Sequence, residues 1–455
     1  MTSRSKSTGK TTRLSKPVRP AKPARDAKRV AVIGAGITGT TTAYQLVKRG
    51  FDVTLFDRQP YAAMETSYAN GGQLSASNAE VWNSWATVAK GLKWMLKPGA
   101  PLLVNPKPSW HKFSWMAEFM ANIPNYERNT IATARLAVEA REQLMEVAEA
   151  ENIDFNCEKR GILHFYTNEK DFEHGRKVTE LLKKGGLERE ELSAPQVLET
   201  EPALTGNFVG GYLTKTDFTG DIHKYTNALA EACKRLGATL AFATDIRDVA
   251  ADGNGVTIIH RPAEFHGEAT TASHFDDVVV CAGVRSRTLA AKFGDRVNIY
   301  PVKGYSLTIH LDTEHDRDAA PWVSLLDDHA KIVSSRLGED RFRVAGTAEF
   351  NGYNRDIRAS RIDPLISWCH QLFPGMSTRQ YEPWAGLRPM LPTMLPKVER
   401  GKNPHVFYNT GHGHLGWTLS AATANIIADA VLEGYAGTTH IAGHDVSNPV
   451  TGKAA

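Results

Sequence analysis

At 455 residues, 42% hydrophobic and 23% charged, the chain has the composition of an ordinary soluble protein and suits two domains better than one core. It holds no run of about 18 apolar residues, which excludes a membrane-spanning helix. Its four scattered cysteines (Cys157, Cys233, Cys281 and Cys369) make no CxxC pair, which argues against structural zinc and a disulfide framework and fits a reducing compartment.

The formal charge of +4 is uneven: residues 1–29 hold ten Lys or Arg against the single acid Asp26, a net of +9 that leaves the remainder at −5. Residues 1–28 therefore read as a disordered basic tail. Pro17, Pro20 and Pro23 break any helix there, and Leu14 and Val18 are almost its only large apolar residues. A transit peptide is the alternative, and contact with anionic lipid or nucleic acid a further one.

The stretch from Lys28 to Arg58 organises the rest of the chain. Arg29-Val30-Ala31-Val32-Ile33 reads as a buried strand, and Gly34-Ala35-Gly36-Ile37-Thr38-Gly39 follows without a gap. A helical pattern runs through Ala43 and Leu46 to Gly50, a second strand spans Val53 to Phe56, and Asp57 closes the unit. Gly34 permits a tight turn, Gly36 lets backbone approach a pyrophosphate, and Gly39 lets helix and strand pack closely. The helix N-terminus offers N–H groups to phosphates, and Asp57 stands where a carboxylate can take ribose hydroxyls. Strand, glycines, helix, second strand and acid at these offsets predict a dinucleotide site.

Residues 59–80 are small and polar around Glu65-Thr66-Ser67-Tyr68-Ala69-Asn70-Gly71-Gly72-Gln73-Leu74-Ser75, a loop expected to fold over the cofactor. From Val81 to Met120 come Trp82, Trp85, Trp94, Trp110 and Trp115, interleaved with Lys90, Lys93 and Lys97. Packed helices are the expectation, and an interfacial amphipathic segment is the alternative. Helices are predicted at 129–151, 169–184 and Ile222–Leu236, the last capped by Asp221 and ended by Gly237. Strands are predicted at Gly161–Tyr166, Gly210–Leu213, Thr239–Phe242, Val256–His260 and Asp277–Gly283. Residues 296–385 lack βαβ rhythm and read as an antiparallel sheet with strands at Asn298–Val302, Tyr305–His310, Lys331–Ser334 and Phe342–Gly346. The chain then returns to a strand at Val406–Thr410 and a helix from about Leu419 to Leu432. Gly411-His412-Gly413-His414-Leu415-Gly416 also fits GxGxxG, but no second acid-bearing strand follows it. It predicts a helix N-terminus aimed at something electron-rich, not a second nucleotide.

The first unit, the Glu65–Leu74 loop, the Thr219-Gly220-Asp221 turn, Tyr300-Pro301-Val302-Lys303-Gly304-Tyr305-Ser306, Gly386-Leu387-Arg388-Pro389-Met390 and Asn409–Thr418 occur together in one order. That set resembles the D-amino acid dehydrogenases of small-subunit type in the FAD-dependent DAO superfamily, over roughly residues 29–435. The resemblance implies an α/β (α+β) fold: a Rossmann-like FAD domain from the discontinuous segments 29–80, 205–295 and 386–440, and a mostly antiparallel-sheet substrate domain from 81–204 and 296–385 with a helical insertion.

The implied reaction is oxidative deamination of a D-amino acid, with hydride passing from the substrate Cα to flavin N5 and the imino acid hydrolysing to a 2-oxo acid and ammonia. Arg388 takes the carboxylate-anchoring role and Tyr305 a second substrate contact; a structural arginine and a strand aromatic are the plainer readings of the two. Non-covalent FAD is expected to be held by Val32, Ile33, Gly34, Ala35, Gly36, Ile37, Thr38, Gly39, Asp57 and Arg58, by Thr66, Ser67, Gly71, Gly72, Gln73 and Leu74 of the loop, by Ile246 and Gly283, and by Gly411, His412, Gly413, His414, Leu415, Gly416, Trp417 and Thr418. No metal is expected.

Two departures from the family pattern stand out. Such proteins commonly carry Asp-Gly before the proline that follows Arg388-Pro389, where this chain has Thr393-Met394-Leu395-Pro396, and the last helix begins Ser420-Ala421-Ala422-Thr423 rather than with a glycine-rich run. With no second nucleotide site and no cysteine cluster, electrons are expected to leave to an external carrier, which the resemblance implies is a quinone or respiratory acceptor. The expected location is cytoplasmic, with peripheral contact at the inner face of the cell membrane, and no nucleic-acid partner is expected. The alternatives are an oxidase of glycine- or sarcosine-type amines and a flavin-containing scaffold that binds membrane or nucleic acid.

Overall fold

The computed structural model describes residues 27–94, 101–265 and 267–435. All but the end of the basic tail, Lys97, and residues 436–440 of the expected FAD domain lie outside the described residues.

Val30 and Val32 point to one side of the strand Arg29–Ile33 and Ala31 and Ile33 to the other, all of them buried, as a strand covered on both faces requires. Five parallel strands form the first sheet, in the order Val406–Thr410, Asp277–Val280, Arg29–Ile33, Asp52–Phe56, Thr239–Ala241, and Lys397–Arg400 adds an antiparallel edge. The helices Ile37–Lys48, Ile222–Arg235 and Gly416–Tyr435 cover one face through Tyr44, Leu46, Tyr225, Leu229, Ile427 and Val431. An antiparallel meander of Thr244–Asp252, Gly255–Pro262 and Thr271–Phe275 packs Val249, Val256, Ile258 and Phe275 on the other. The chain leaves Arg29–Ile33 toward one edge and returns on its other side at Asp277–Val280. A crevice thus opens at the carboxyl end of the central strand.

The second sheet has nine strands, in the order Tyr381–Met390, Tyr300–His310, Arg341–Phe350, Ile332–Arg336, Ser324–Asp327, Ile162–Tyr166, Gly210–Thr214, Glu190–Ser193, with Leu102–Val104 beside Arg341–Phe350. It is antiparallel except where Ser324–Asp327 meets Ile162–Tyr166 and where Leu102–Val104 meets Arg341–Phe350. Helix Ala359–Leu372 packs Ile362, Leu365, Trp368 and Leu372 into its core.

Several expected elements differ in detail. The two strands predicted around Lys303-Gly304 are one continuous strand, because Gly304 continues the ladder by pairing with Gly386. Gly210–Thr214 and Gly386–Met390, grouped with the FAD-binding segments from sequence, hydrogen-bond in the second sheet. The last helix starts at Gly416 rather than Leu419. Met394, at the place of the missing Asp-Gly, adopts φ +63, a left-handed conformation that glycine takes more readily.

The tryptophan-rich segment forms helices Trp85–Trp94 and Trp110–Ala121 around Leu102–Val104. Trp115 is 3% exposed, and its Nε1 donates to the Met390 carbonyl at 2.8 Å. Trp85 and Trp110, by contrast, are 68% and 85% exposed.

Asp221 joins the two halves. Its Oδ1 accepts from the N–H groups of His223 and Lys224 at 3.0 and 3.1 Å, and its Oδ2 from Arg341 Nη1 at 2.8 Å. Burial alone raises its pKa, but the Arg341 guanidinium and the cap hydrogen bonds outweigh that and hold it below the usual value. The carboxylate therefore stabilises the fold above its unfolded pKa of about 3.9, and that contribution is lost as pH falls through the lower folded value. Asp221→Ala is expected to lose about 1–2 kcal/mol at pH 7 in denaturant unfolding. The gap from wild type should close as the pH is lowered through that range, and a gap that persists unchanged in acid contradicts the assignment.

Candidate active site

A cavity of about 1730 Å³ lies at the carboxyl ends of the parallel strands. Ile33, Gly34, Asp57, Gly283, Thr410 and Gly411 line one side, and Gly304, Tyr305, Ser306, Thr347, Gly386 and Arg388 of the second sheet face it.

The nucleotide-binding turn follows from close approach. Gly34 has φ +108, and a Cβ there would sit 2.6 Å from the Cys281 carbonyl oxygen. A Cβ on Gly39 would lie 1.7 Å from the Gly34 oxygen, so helix Ile37–Lys48 can seat on the strand only with glycine at 39. Gly36 ends the turn with no side-chain cap, and the Ile37 N–H donates to Ser67 Oγ at 3.0 Å. Asp57 accepts from the Ala35 N–H at 2.7 Å and the Gln59 N–H at 2.9 Å, which fixes its carboxylate at the cavity edge. Burial raises its pKa and these two hydrogen bonds oppose the rise. Arg58 pairs with Glu65, which also takes Arg355. Burial raises the Glu65 pKa, and the two guanidinium groups overcome that and lower it.

Of the expected cofactor residues, Ile33, Gly34, Gly36, Ile37, Thr38, Asp57, Arg58, Thr66, Ser67, Gly71, Gln73, Ile246 and Gly283 line the cavity, with every residue from Gly411 to Thr418. Val32, Ala35, Gly39, Gly72 and Leu74 do not. Val32, Ala35 and Leu74 are core residues, Gly39 is the packing contact just described, and the Gly72 oxygen accepts from the Gly220 N–H.

The loop is tied down on both sides. Thr66 Oγ1 donates to the Leu387 oxygen at 2.9 Å, Gln73 Nε2 to Ser324 Oγ at 2.8 Å, and Ser335 Oγ to the Gly71 oxygen at 2.7 Å. In the last turn Gly411 and Gly413 have φ +80 and +60, and the Gly413 N–H donates to the Pro389 oxygen at 3.0 Å. His412 Nε2 meets Thr423 Oγ1 at 3.0 Å, and burial pushes its pKa down to about 3. Two helix N-termini, before Ile37 and at Gly416, thus face one cavity. Trp417 Nε1, 2% exposed, has no acceptor among the described residues. Open donors and positive helix ends suit a cofactor with a pyrophosphate and a carbonyl-bearing ring, so the residues present fit FAD.

Arg388 sits in a socket. Its strand pairs with Tyr300–His310, and a Cβ on Gly304 would lie 2.3 Å from Nη1, so the guanidinium lies on bare backbone. Opposite Gly304 the ladder bulges: Lys303 pairs with Glu349 and Tyr305 with Gly346, leaving both Thr347 and Ala348 against the single Gly304. Thr347 takes φ +60, and its carbonyl accepts from Arg388 Nη1 at 3.0 Å. No carboxylate pairs with Arg388 among the described residues. Burial lowers its pKa to about 10, which leaves it charged at neutral pH.

Tyr305 also lines the cavity, but its hydroxyl donates to Glu349 Oε2 at 2.6 Å and the residue is 1% exposed. Glu349 in turn takes Arg358 and lies 3.4 Å from the buried Lys303 Nζ. Burial, and then the Glu349 carboxylate, push the Tyr305 pKa up to about 12. Its hydroxyl is committed to this network, so the expected substrate contact has a structural partner already.

Sequence reasoning missed the bulge at Thr347, which carries no residue signature, and the socket role of Gly304, which stood inside a recognised motif. It also missed the Glu65–Arg355 tie and the stack of Trp82 on His414, with ring centroids 4.8 Å apart.

The FAD dependent oxidoreductase family model (DAO) matches residues 29–430. A curated protein of Mesorhizobium japonicum named D-amino acid dehydrogenase 3 is 55% identical over 89% of this chain and 97% of its own. Among solved structures, glycine oxidase from Geobacillus kaustophilus superposes with a TM-score of 0.69 at 19% identity, covering 90% of this chain and 95% of that one. The FAD-bound L-alpha-glycerophosphate oxidase from Mycoplasma pneumoniae gives 0.67 at 17%, covering 90% and 95%. At these identities the two structures bear on the fold alone.

Gly304→Ala should push the Arg388 guanidinium out of its socket and weaken binding of a small carboxylate at least about tenfold. Retained flavin absorbance would report an intact cofactor site. Wild-type carboxylate affinity in this variant would show that the socket does not position the arginine.

Proposed function

The chain belongs to the DAO family of FAD-dependent oxidoreductases, and on that premise we propose that it deaminates D-amino acids oxidatively to 2-oxo acids and ammonia. The observation that carries this reading is Arg388, a half-buried guanidinium without an acidic partner among the described residues on the cavity wall. A planar cation in a desolvated site suits bidentate capture of a carboxylate. FAD, when bound, supplies the two-electron acceptor for the hydride of the substrate Cα–H. The residues from Ile33 to Arg58, from Thr66 to Gln73 and, His414 apart, from Gly411 to Thr418 that line the cavity are assigned to the cofactor. Arg388 is assigned to the substrate carboxylate, with the Gly71 and Gln73 ties holding the covering loop closed against water. Similarity to a D-amino acid dehydrogenase supports the D configuration.

For the acceptor, a quinone or other respiratory carrier is the reading. The exposed Trp85, Trp110 and Phe113, with Lys90, Lys93 and Lys107 nearby in sequence, support peripheral contact with an anionic bilayer. No described helix is long and apolar enough to cross one.

The test is anaerobic. D-amino acids should bleach the flavin of the purified protein and their L enantiomers should not, and a quinone analogue should restore the colour faster than air. Bleaching by glycine or sarcosine but by no D-amino acid, with rapid hydrogen peroxide formation in oxygen, would make the protein an oxidase of another substrate. Replacing both Trp85 and Trp110 by Ser should release the protein from anionic vesicles at lower salt. Unchanged vesicle binding would show that this surface does not contact the bilayer.

A further inference from the structure

Arg388 accounts for the substrate carboxylate, but hydride departure also requires that the amine be held. His414, placed with the cofactor in the sequence reading, offers the missing contact. It follows Gly413, whose N–H donates to the Pro389 oxygen, so the His414 backbone is fixed beside the strand that carries Arg388. The imidazole stacks on Trp82 with 19° between planes, and both residues line the cavity with Arg388. His414 Nε2 lies 3.3 Å from the Asn78 carbonyl oxygen. A carbonyl only accepts, so Nε2 carries the proton and Nδ1 keeps its lone pair. That Nδ1 has no partner among the described residues and no surface open to the cavity in this conformation, so a small turn of the ring on Trp82 must present it to a ligand. Burial is the main influence on the ring and lowers its pKa; the Asn78 contact and Glu80 oppose, Arg388 and Lys331 reinforce, and the result is about 4. At neutral pH the ring is therefore an acceptor, and a shielded acceptor without a donor is costly unless a ligand completes it.

We propose that His414 Nδ1 accepts a hydrogen bond from the substrate amino group while Arg388 holds the carboxylate, so that the two residues together orient the Cα–H. This rests on the D-amino acid reading above. It adds an acceptor for a donor group on Cα: a plain carboxylate such as butyrate satisfies Arg388 but not the full pair.

Two variants of the holoenzyme separate the two nitrogens. His414→Gln can still reach the Asn78 carbonyl with its amide N–H but has nothing at the Nδ1 position. His414→Asn places an oxygen near Nδ1 and gives up the Asn78 bond. For the Gln variant, kcat/KM toward D-amino acids is expected to fall by about 10- to 100-fold, while FAD content and the binding of butyrate, read from the flavin spectrum, stay at wild-type levels. The Asn variant should recover most of that loss. The proposal is overturned if the Gln variant matches wild type, if Asn is as damaged as Gln, or if Gln loses butyrate or FAD together with turnover, since His414 would then brace the wall or face the cofactor. A wild-type enzyme inert toward every D-amino acid but bleached by another substrate would sink the underlying reading itself, a result distinct from any of these.

Discussion

An unpaired guanidinium in a desolvated wall is the feature on which the rest of this structure depends. Even a half-buried charge without a counter-ion is costly, and a fold retains one where something else holds it or a ligand completes it. Around Arg388 the chain supplies part of that support. Gly304 leaves backbone bare beneath the group, and a bulge turns the Thr347 carbonyl to meet Nη1. Thr66 and Gly413 tie the loop and the last turn to Leu387 and Pro389 on either side of it. The hydrogen bonds are few and leave the cation available to a carboxylate.

The same constraint explains why two differently built sheets must meet. The parallel sheet presents strand ends and helix N-termini, which suit phosphates and an electron-rich ring, but Arg58 beside them is already paired with Glu65. The antiparallel sheet supplies a long, regular ladder on which one side chain can be aimed with little freedom. Asp221 joins the halves by capping a helix of the first and pairing with Arg341 of the second. The Glu65–Arg355 pair adds a second tie near the cofactor's expected ribose end.

Much of this was legible in the sequence where the information is local. The strand, glycine turn, helix and Asp57 of the first unit obey steric rules that act within about 30 residues, and Gly34 and Gly39 are glycines for the contacts those rules require. The Asp221 cap was likewise readable. What could not be read depends on distant partners. Nothing in Thr347 announces φ +60, because the bulge exists only against Gly304 in a neighbouring strand. Tyr305 looked free for substrate until Glu349, 44 residues on, took its hydroxyl. Gly210–Thr214 has the composition of any buried strand, and its sheet is decided by pairing with Ile162–Tyr166. In the tryptophan-rich segment Trp115 lies in the core while Trp85 and Trp110 are exposed, a division set by partners distant in sequence.

The most direct test of the central claim is the anaerobic rate of flavin reduction by a D-amino acid in wild type and in Arg388→Met, each with its FAD content measured. A carboxylate anchor predicts that the variant keeps its FAD and needs at least about 30-fold more substrate for half-maximal reduction. An Arg388→Met protein that is reduced at wild-type substrate concentrations, or that cannot retain FAD, would contradict the assignment of Arg388 as that anchor.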